Sequence, residues 1–310
     1  HQDAGGCHMT FEIDADELLI DDVDETSSLP TWGLPEYELL KLVSRGPIAD
    51  VWLVRDKASG AEFALKQLRE EWADDPTACQ LLKNEVEVAA AVQSPYVVRV
   101  WEAPTHFERP GVLMEWLGAN TVARHLDVVA RLTVRESLWI ARQCALGLKD
   151  LIDAGYVHGD IKPENIALLA GGAIKLIDLG FAQPVARNSE IPRSDVFTGT
   201  IAYTAPEAFT SERSSVISRD LYSLGILLYR MLTGRLPFQG TTTAEVMRQH
   251  REQRPPLLLA WCPDASDDVV NFVNRLLAKH PLRRPADVKE VVQELIRLEL
   301  LHWPEEALVG

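Results

Sequence analysis

The stretch YVHGDIKPEN, residues 156 to 165, places an aspartate (Asp160), a lysine two residues on (Lys162) and an asparagine five residues on (Asn165) within one short segment. A carboxylate that takes a hydroxyl proton and an amine that neutralises phosphate oxygens are equipment for phosphoryl transfer. A second carboxylate, Asp178 of LIDLG (176–180), lies 18 residues beyond Asp160, a separation that fits two strands and a turn. A carboxylate, an amide and phosphate oxygens suit a hard cation such as Mg2+. In isolation two Asp and one Asn read as turn residues, so the chemistry depends on what the rest of the chain brings to them.

The chain has 310 residues, 46% of them apolar, enough for a sizeable core. No run approaches 18 apolar residues, so no membrane-spanning helix is expected, and no charged-then-apolar signal pattern opens the sequence. Residues 1–9, HQDAGGCHM, read as an expression remnant. The four Cys (Cys7, Cys79, Cys144, Cys262) are far apart, which argues against a zinc site and for a reducing compartment; a cytoplasmic location is the expectation. His106, His125, His250, His280 and His302 are expected at the surface or as caps. Of the 46 acids, 11 precede Lys41 with no base among them, leaving 35 acids against 31 bases. The acidity therefore belongs to a leader (10–32), and the body has no large basic field for nucleic acid. The leader reads as solvated, yet its Phe11, Ile13, Leu18, Leu19 and Ile20 equip it to dock on the body or on a partner.

Three β-rich runs, YELLKLVS, DVWLVRD and EFALKQL, predict an antiparallel meander over 37–68. A helix is expected at 77–92, then strands YVVRVWE (96–102) and GVLMEW. TVRE, with Thr133 as N-cap and Glu136 three residues on, opens a helix to Ala154 that Gly155 ends. Short strands are expected at 166–169 and 174–177, and helices at 218–233, 267–278 and 285–300. The prediction is an α+β, bilobal chain: a small β-rich lobe with one main helix over 33–117, a larger helical lobe over 118–303, a tail at 304–310, and a ligand cleft between the lobes.

With these motifs in order, the chain resembles a protein kinase of the eukaryotic-like Ser/Thr type, as found in bacteria, over about residues 35–300. The resemblance implies ATP as phosphate donor, Mg2+ or alternatively Mn2+, and a protein substrate bearing Ser or Thr. VSRGPIADV (43–51) stands where the family has a glycine-rich loop. Only Gly46 survives there, and Pro47 removes an N–H, a loss of roughly 1 kcal/mol or about fivefold in affinity. Lys66 of ALKQL is implied as the phosphate-binding amine, with Glu85 as its partner and Glu87 as the competitor. Met114 falls at the gatekeeper position. The backbone of Glu115 and Leu117 is implied to meet the adenine edge, between faces formed by Val51, Ala64 and Ala167, with Val43 also implied at the ATP site. Asp160 would orient the substrate hydroxyl, Lys162 would neutralise γ-phosphoryl charge, and Asn165 and Asp178 would hold metal; Leu179 replaces the usual Phe. In TGTIAYTAPEA (198–208), Thr200 would bond Asp160 and Lys162. Glu207 would pair with Arg284, and Asp220 would accept from the catalytic-loop backbone.

Gly159 stands where most members of the family have the Arg that pairs with an activation-segment phosphate. Its absence implies an enzyme that does not depend on phosphorylation at Ser189, Ser194 or Thr198. His-Gly-Asp also resembles aminoglycoside-type phosphotransferases, but these generally lack the Ala-Pro-Glu segment. A nucleotide-binding pseudokinase is the other alternative. Glu164 favours a basic residue near the target hydroxyl, whereas Arg230 occupies the place of a second acid, so no strong basic preference is expected.

Overall fold

The computed structural model describes residues 35–102, 109–185, 200–209 and 216–302; of Glu102 and Thr200 only the backbone is described. The leader, His106, Ser189, Ser194, Thr198 and the tail lie outside the described residues.

The alternating run folds as β1 (Tyr37–Arg45), β2 (Ala49–Asp56) and β3 (Glu62–Leu68). Asp56 shapes the turn between the last two by accepting the N–H groups of Ala58 and Ser59, with Gly60 in the left-handed conformation at φ 74°. With β4 (Val100–Glu102) and β5 (Gly111–Glu115) they form one antiparallel sheet in the order β1-β2-β3-β5-β4. The strand expected over 96–102 is shorter. The Val98 N–H bonds the Leu176 carbonyl and the Leu176 N–H bonds that of Tyr96, so this stretch joins the large lobe instead of the sheet. Across the sheet lies α1 (Pro76–Ala91), capped by Asp75 on the Ala78 N–H. Its buried stripe is Ala78, Leu82, Glu85 and Val88, so one carboxylate sits among apolar residues at helical spacing.

The large lobe begins with α2 (Val122–Val128), which sequence periodicity did not predict, and α3 (Val134–Asp153). The capping box of Thr133 and Glu136 is formed, and Gly155 follows the helix end at φ 91°. Next come β6 (Tyr156–Val157), β7 (Ile166–Leu168), β8 (Ile174–Leu176) and β9 (Gln183–Pro184), paired β6 with β9 and β7 with β8. Then follow α4 (Val216–Thr233), α5 (Thr243–Glu252), α6 (Asp267–Leu276) and α7 (Val288–Leu301). Almost every residue of α4 is buried, which makes it the axis of the lobe; α3 packs on both α4 and α7.

Arg284 ties the segment after residue 200 to this core. Its guanidinium grips Glu207 at 2.6 and 2.8 Å and also donates to the Ser218 and Ala278 carbonyls. Both side chains are almost wholly buried. Removing one member of such a pair strands the other charge, so Glu207→Ala is expected to destabilise the fold by about 3–5 kcal/mol, read as a lower urea midpoint.

The expectation of surface histidines fails for His125 and His250, both of which are buried. His250 Nδ1 lies 2.9 Å from the Tyr222 hydroxyl, and the ring packs against Phe238 near the Lys279 ammonium. Burial, with Lys279 adding to it, pushes the His250 pKa down to about 4. Between that value and about 6.5, the unfolded chain holds a proton that the native chain lacks. Stability from this residue therefore falls as pH drops through the window, by at most about 1.4 kcal/mol per pH unit. Melting curves from pH 7 to 4.5 should show a steeper decline for the natural chain than for His250→Asn.

Candidate active site

Strand β3 presents Lys66 toward the face that α1 covers, and the buried stripe of α1 presents Glu85. The two meet at 2.8 Å, while Glu87 is exposed. Lys66 also reaches Asp178 at 2.8 Å across the cleft. Burial alone would lower the lysine, but Asp178 and Glu85 outweigh it and hold its pKa above the ordinary range. Burial works likewise against the Asp178 carboxylate, but the Lys66 ammonium, helped by Lys162 and His158, holds it at about 2. Glu85, wholly buried with its Oε1 lacking a hydrogen bond among the described residues, is instead pushed upward by burial. Asp178 is left as the firmly ionised carboxylate of the trio, and a third of its side chain remains exposed for a ligand.

Asp178 sits at φ 64°, the one non-glycine with positive φ among the described residues. That conformation costs about 1–2 kcal/mol and is held from outside. Asn84 on α1 donates to the carbonyls of Leu179, Gly180 and Ala182 at 3.3, 2.8 and 2.7 Å, pinning the segment after Asp178 to α1. Sequence reading missed Asn84; an asparagine inside a helix, where it is a poor former, was the available signal.

Asp160 is 3% exposed. Its Oδ2 accepts from Asn165 Nδ2 at 2.8 Å and from Lys162 Nζ at 2.7 Å, while Oδ1 is buried with no hydrogen-bond partner among the described residues. The loop is suspended from Asp220 on α4, which accepts the N–H groups of His158 and Gly159 at 2.8 and 2.9 Å. Thr200 opens a 3-10 turn, Thr200–Tyr203, but its side chain is not described.

Between the lobes lies a cavity of about 660 Å3, within the range of small-molecule sites. Val43, Val51, Ala64, Met114 and Ala167 give it apolar walls, with Gly46, Glu115, Leu117, Lys66, Lys162, Asn165 and Asp178 also lining it. The Glu115 N–H is committed to the Arg99 carbonyl, and its carboxylate to Lys175 at 2.5 Å and the Arg99 amide. Arg124 on α2 bridges the lobes by donating to the Val43 carbonyl at 3.0 Å and the Ala119 carbonyl at 2.6 Å. In the loop between β1 and β2, the Gly46 N–H already bonds the Ala49 carbonyl at 3.0 Å.

The donor set fits a divalent ion. The Asn165 amide nitrogen is turned to Asp160, which leaves its oxygen as an acceptor, and Asp178 supplies the anionic oxygen. The cavity's apolar walls and the Lys66 ammonium are of the kinds that a planar ring and a phosphate group need.

A β-rich lobe over a helical lobe, with a buried lysine–glutamate pair and two aspartates in the cleft, defines the protein kinase architecture. The protein kinase domain family matches residues 37–296, and the chain belongs to it. Its curated relatives are bacterial serine/threonine-protein kinases. The chain is 30% identical to the drp72 kinase of Corynebacterium efficiens, covering 88% of this chain and 52% of that protein. It is 28% identical to PrkC of Bacillus subtilis (80% and 38%) and 30% identical to PknB of Mycobacterium tuberculosis (87% and 44%). The chain thus spans about half, or less, of the length of these relatives. Among the described residues, no helix is long and apolar enough to cross a membrane.

Proposed function

We propose that this domain transfers the γ-phosphate of ATP to serine or threonine hydroxyls of a protein in the cytoplasm. The convergence of Lys66, Asp178, Asn165 and Asp160 in one cleft, from positions up to 112 residues apart, carries this reading. The substrate hydroxyl hydrogen-bonds the unpartnered Oδ1 of Asp160 and is thereby aimed at the γ-phosphorus. As the new O–P bond forms, the bond to the β–γ bridging oxygen breaks, ADP leaves, and the hydroxyl proton passes to Asp160. Lys66 fixes the α and β phosphates, and Lys162 offsets charge on the transferring group. Asn165 and Asp178 would hold Mg2+, with Mn2+ as the alternative, and the ion supplies charge neutralisation for the phosphates.

The Glu115 carbonyl, its N–H being committed to Arg99, and the Leu117 N–H would serve the adenine edge. With the Gly46 amide already bonded within its turn and Pro47 without an N–H, few loop amides remain for phosphate, so ATP is expected to bind weakly. Gly159 supplies no cation, so activity is expected without activation-segment phosphate.

The test is transfer of labelled γ-phosphate from ATP to a generic protein substrate, run with Mg2+ and with Mn2+. Label on Ser and Thr supports the reading. Nucleotide binding without transfer under either ion makes the domain a pseudokinase, and transfer to aminoglycosides alone makes it a small-molecule kinase.

A further inference from the structure

Among the described residues, Arg230 lies in the cleft with no carboxylate and with a phenol as its hydrogen-bond partner. Arg230, on the last turn of α4, is half-buried and lines the same cavity as Lys162 and Glu164. Its hydrogen-bond partner is the Tyr203 hydroxyl, at 2.6 Å, and no Asp or Glu oxygen lies within 4.0 Å of it among the described residues. Several buried or half-buried cations are matched by carboxylates: Lys66 with Glu85, Arg142 with Glu299, Lys175 with Glu115 and Arg284 with Glu207; Arg124, also without one, spends its guanidinium on the Val43 and Ala119 carbonyls. The nearby Lys162 is held by Asp160.

Tyr203 does not neutralise Arg230. Burial pushes its phenol up, so the group stays protonated. Its oxygen accepts from Arg230, which leaves the hydroxyl proton uncommitted among the described residues. A guanidinium and a phenol proton side by side form a donor pair for an oxygen anion. Glu164 pulls the other way but is exposed, and water and salt screen it more than they screen a half-buried charge.

We infer that Arg230, with Tyr203 beside it, binds an acidic side chain of the protein substrate near the target hydroxyl, so that the kinase is acid-directed. The inference rests on the proposed phosphoryl transfer and names its substrate class. Arg230 acts here on specificity; it touches the substrate away from the reacting atoms.

A peptide array with Asp, neutral or Arg residues at each position flanking Ser or Thr tests it. The expected result is about a tenfold higher kcat/KM for Asp over a neutral residue at one position, equivalent to about 1.4 kcal/mol. Arg230→Gln should level that ratio, and Arg230→Glu should turn the same position toward Arg. A purely structural Arg230 would lower all peptides together and invert nothing. An array with no acid preference, or one that Arg230→Glu leaves unchanged, overturns the inference while leaving phosphoryl transfer standing. If no peptide is phosphorylated although ATP binds, the inference falls together with the proposed transfer.

Discussion

Asp160→Asn is expected to lower kcat for phosphoryl transfer by about 10²- to 10⁴-fold, the range for loss of a positioned general base, with little change in KM for ATP. Asp160 holds the reactive end of the substrate, and its carboxylate contacts Lys162 and Asn165 without joining the Lys66–Asp178–Glu85 group. An asparagine can still accept from Asn165 at one atom, so the fold should persist. It cannot take a proton, and its amide presents hydrogens where the hydroxyl needs an acceptor. Lys66→Met should behave differently. It strands the buried Glu85 and the strained Asp178, so the loss of rate is accompanied by a lower melting temperature. Initial rates at saturating ATP, nucleotide affinity by calorimetry and melting curves separate the two. If Asp160→Asn raised KM for ATP and left kcat intact, Asp160 would serve binding, and the assigned proton acceptor would be wrong.

The contrast also shows what a sequence can disclose. The β1–β3 meander was readable because side-chain alternation, the turn around Asp56 and the apolar content agree over a short span. The α3 helix was readable because its capping box lies within four residues. The α2 and α5 helices were missed. Both are short, and α5 has only three apolar residues, although Thr242 caps the Glu245 N–H in the same pattern that marked α3. Tyr96–Arg99 looked like strand because its valines favour extended backbone; which neighbour the extended chain pairs with is a tertiary choice. For the site, periodicity names Glu85 as a misfit on an apolar stripe but cannot name its partner. Lys66 and Asp178 are 112 positions apart, and only the family pattern joined them. Arg124 and Asn84 escaped both routes because their partners are main-chain carbonyls, which leave no trace in side-chain pattern.

Replacing Gly159 should be costly even with alanine. Its φ of 79° lies in the left-handed region, where an L-residue pays about 1–2 kcal/mol. A Cβ built there would stand 2.6 Å from the Phe181 carbonyl oxygen, closer than packing permits, so backbone must move. The obstructing carbonyl lies three residues after Asp178, in the stretch that Asn84 clamps to α1, and the Gly159 N–H is one of the two that suspend the loop from Asp220. Any shift is therefore divided between the segment carrying a metal-ligand candidate and the loop carrying Asp160. Gly159→Ala is expected to lower stability by about 2 kcal/mol and kcat by tenfold or more. Gly159→Arg should be at least as impaired. It restores the cation common in the family, yet at the expense of the loop geometry this chain has settled on. Phosphatase treatment should leave the natural chain active, because no arginine at 159 waits for a phosphate. Activity lost on dephosphorylation and regained with phosphate on Thr198, together with a fully active Gly159→Arg variant, would mean that the glycine is a tolerated loss and that another cation reads the phosphate.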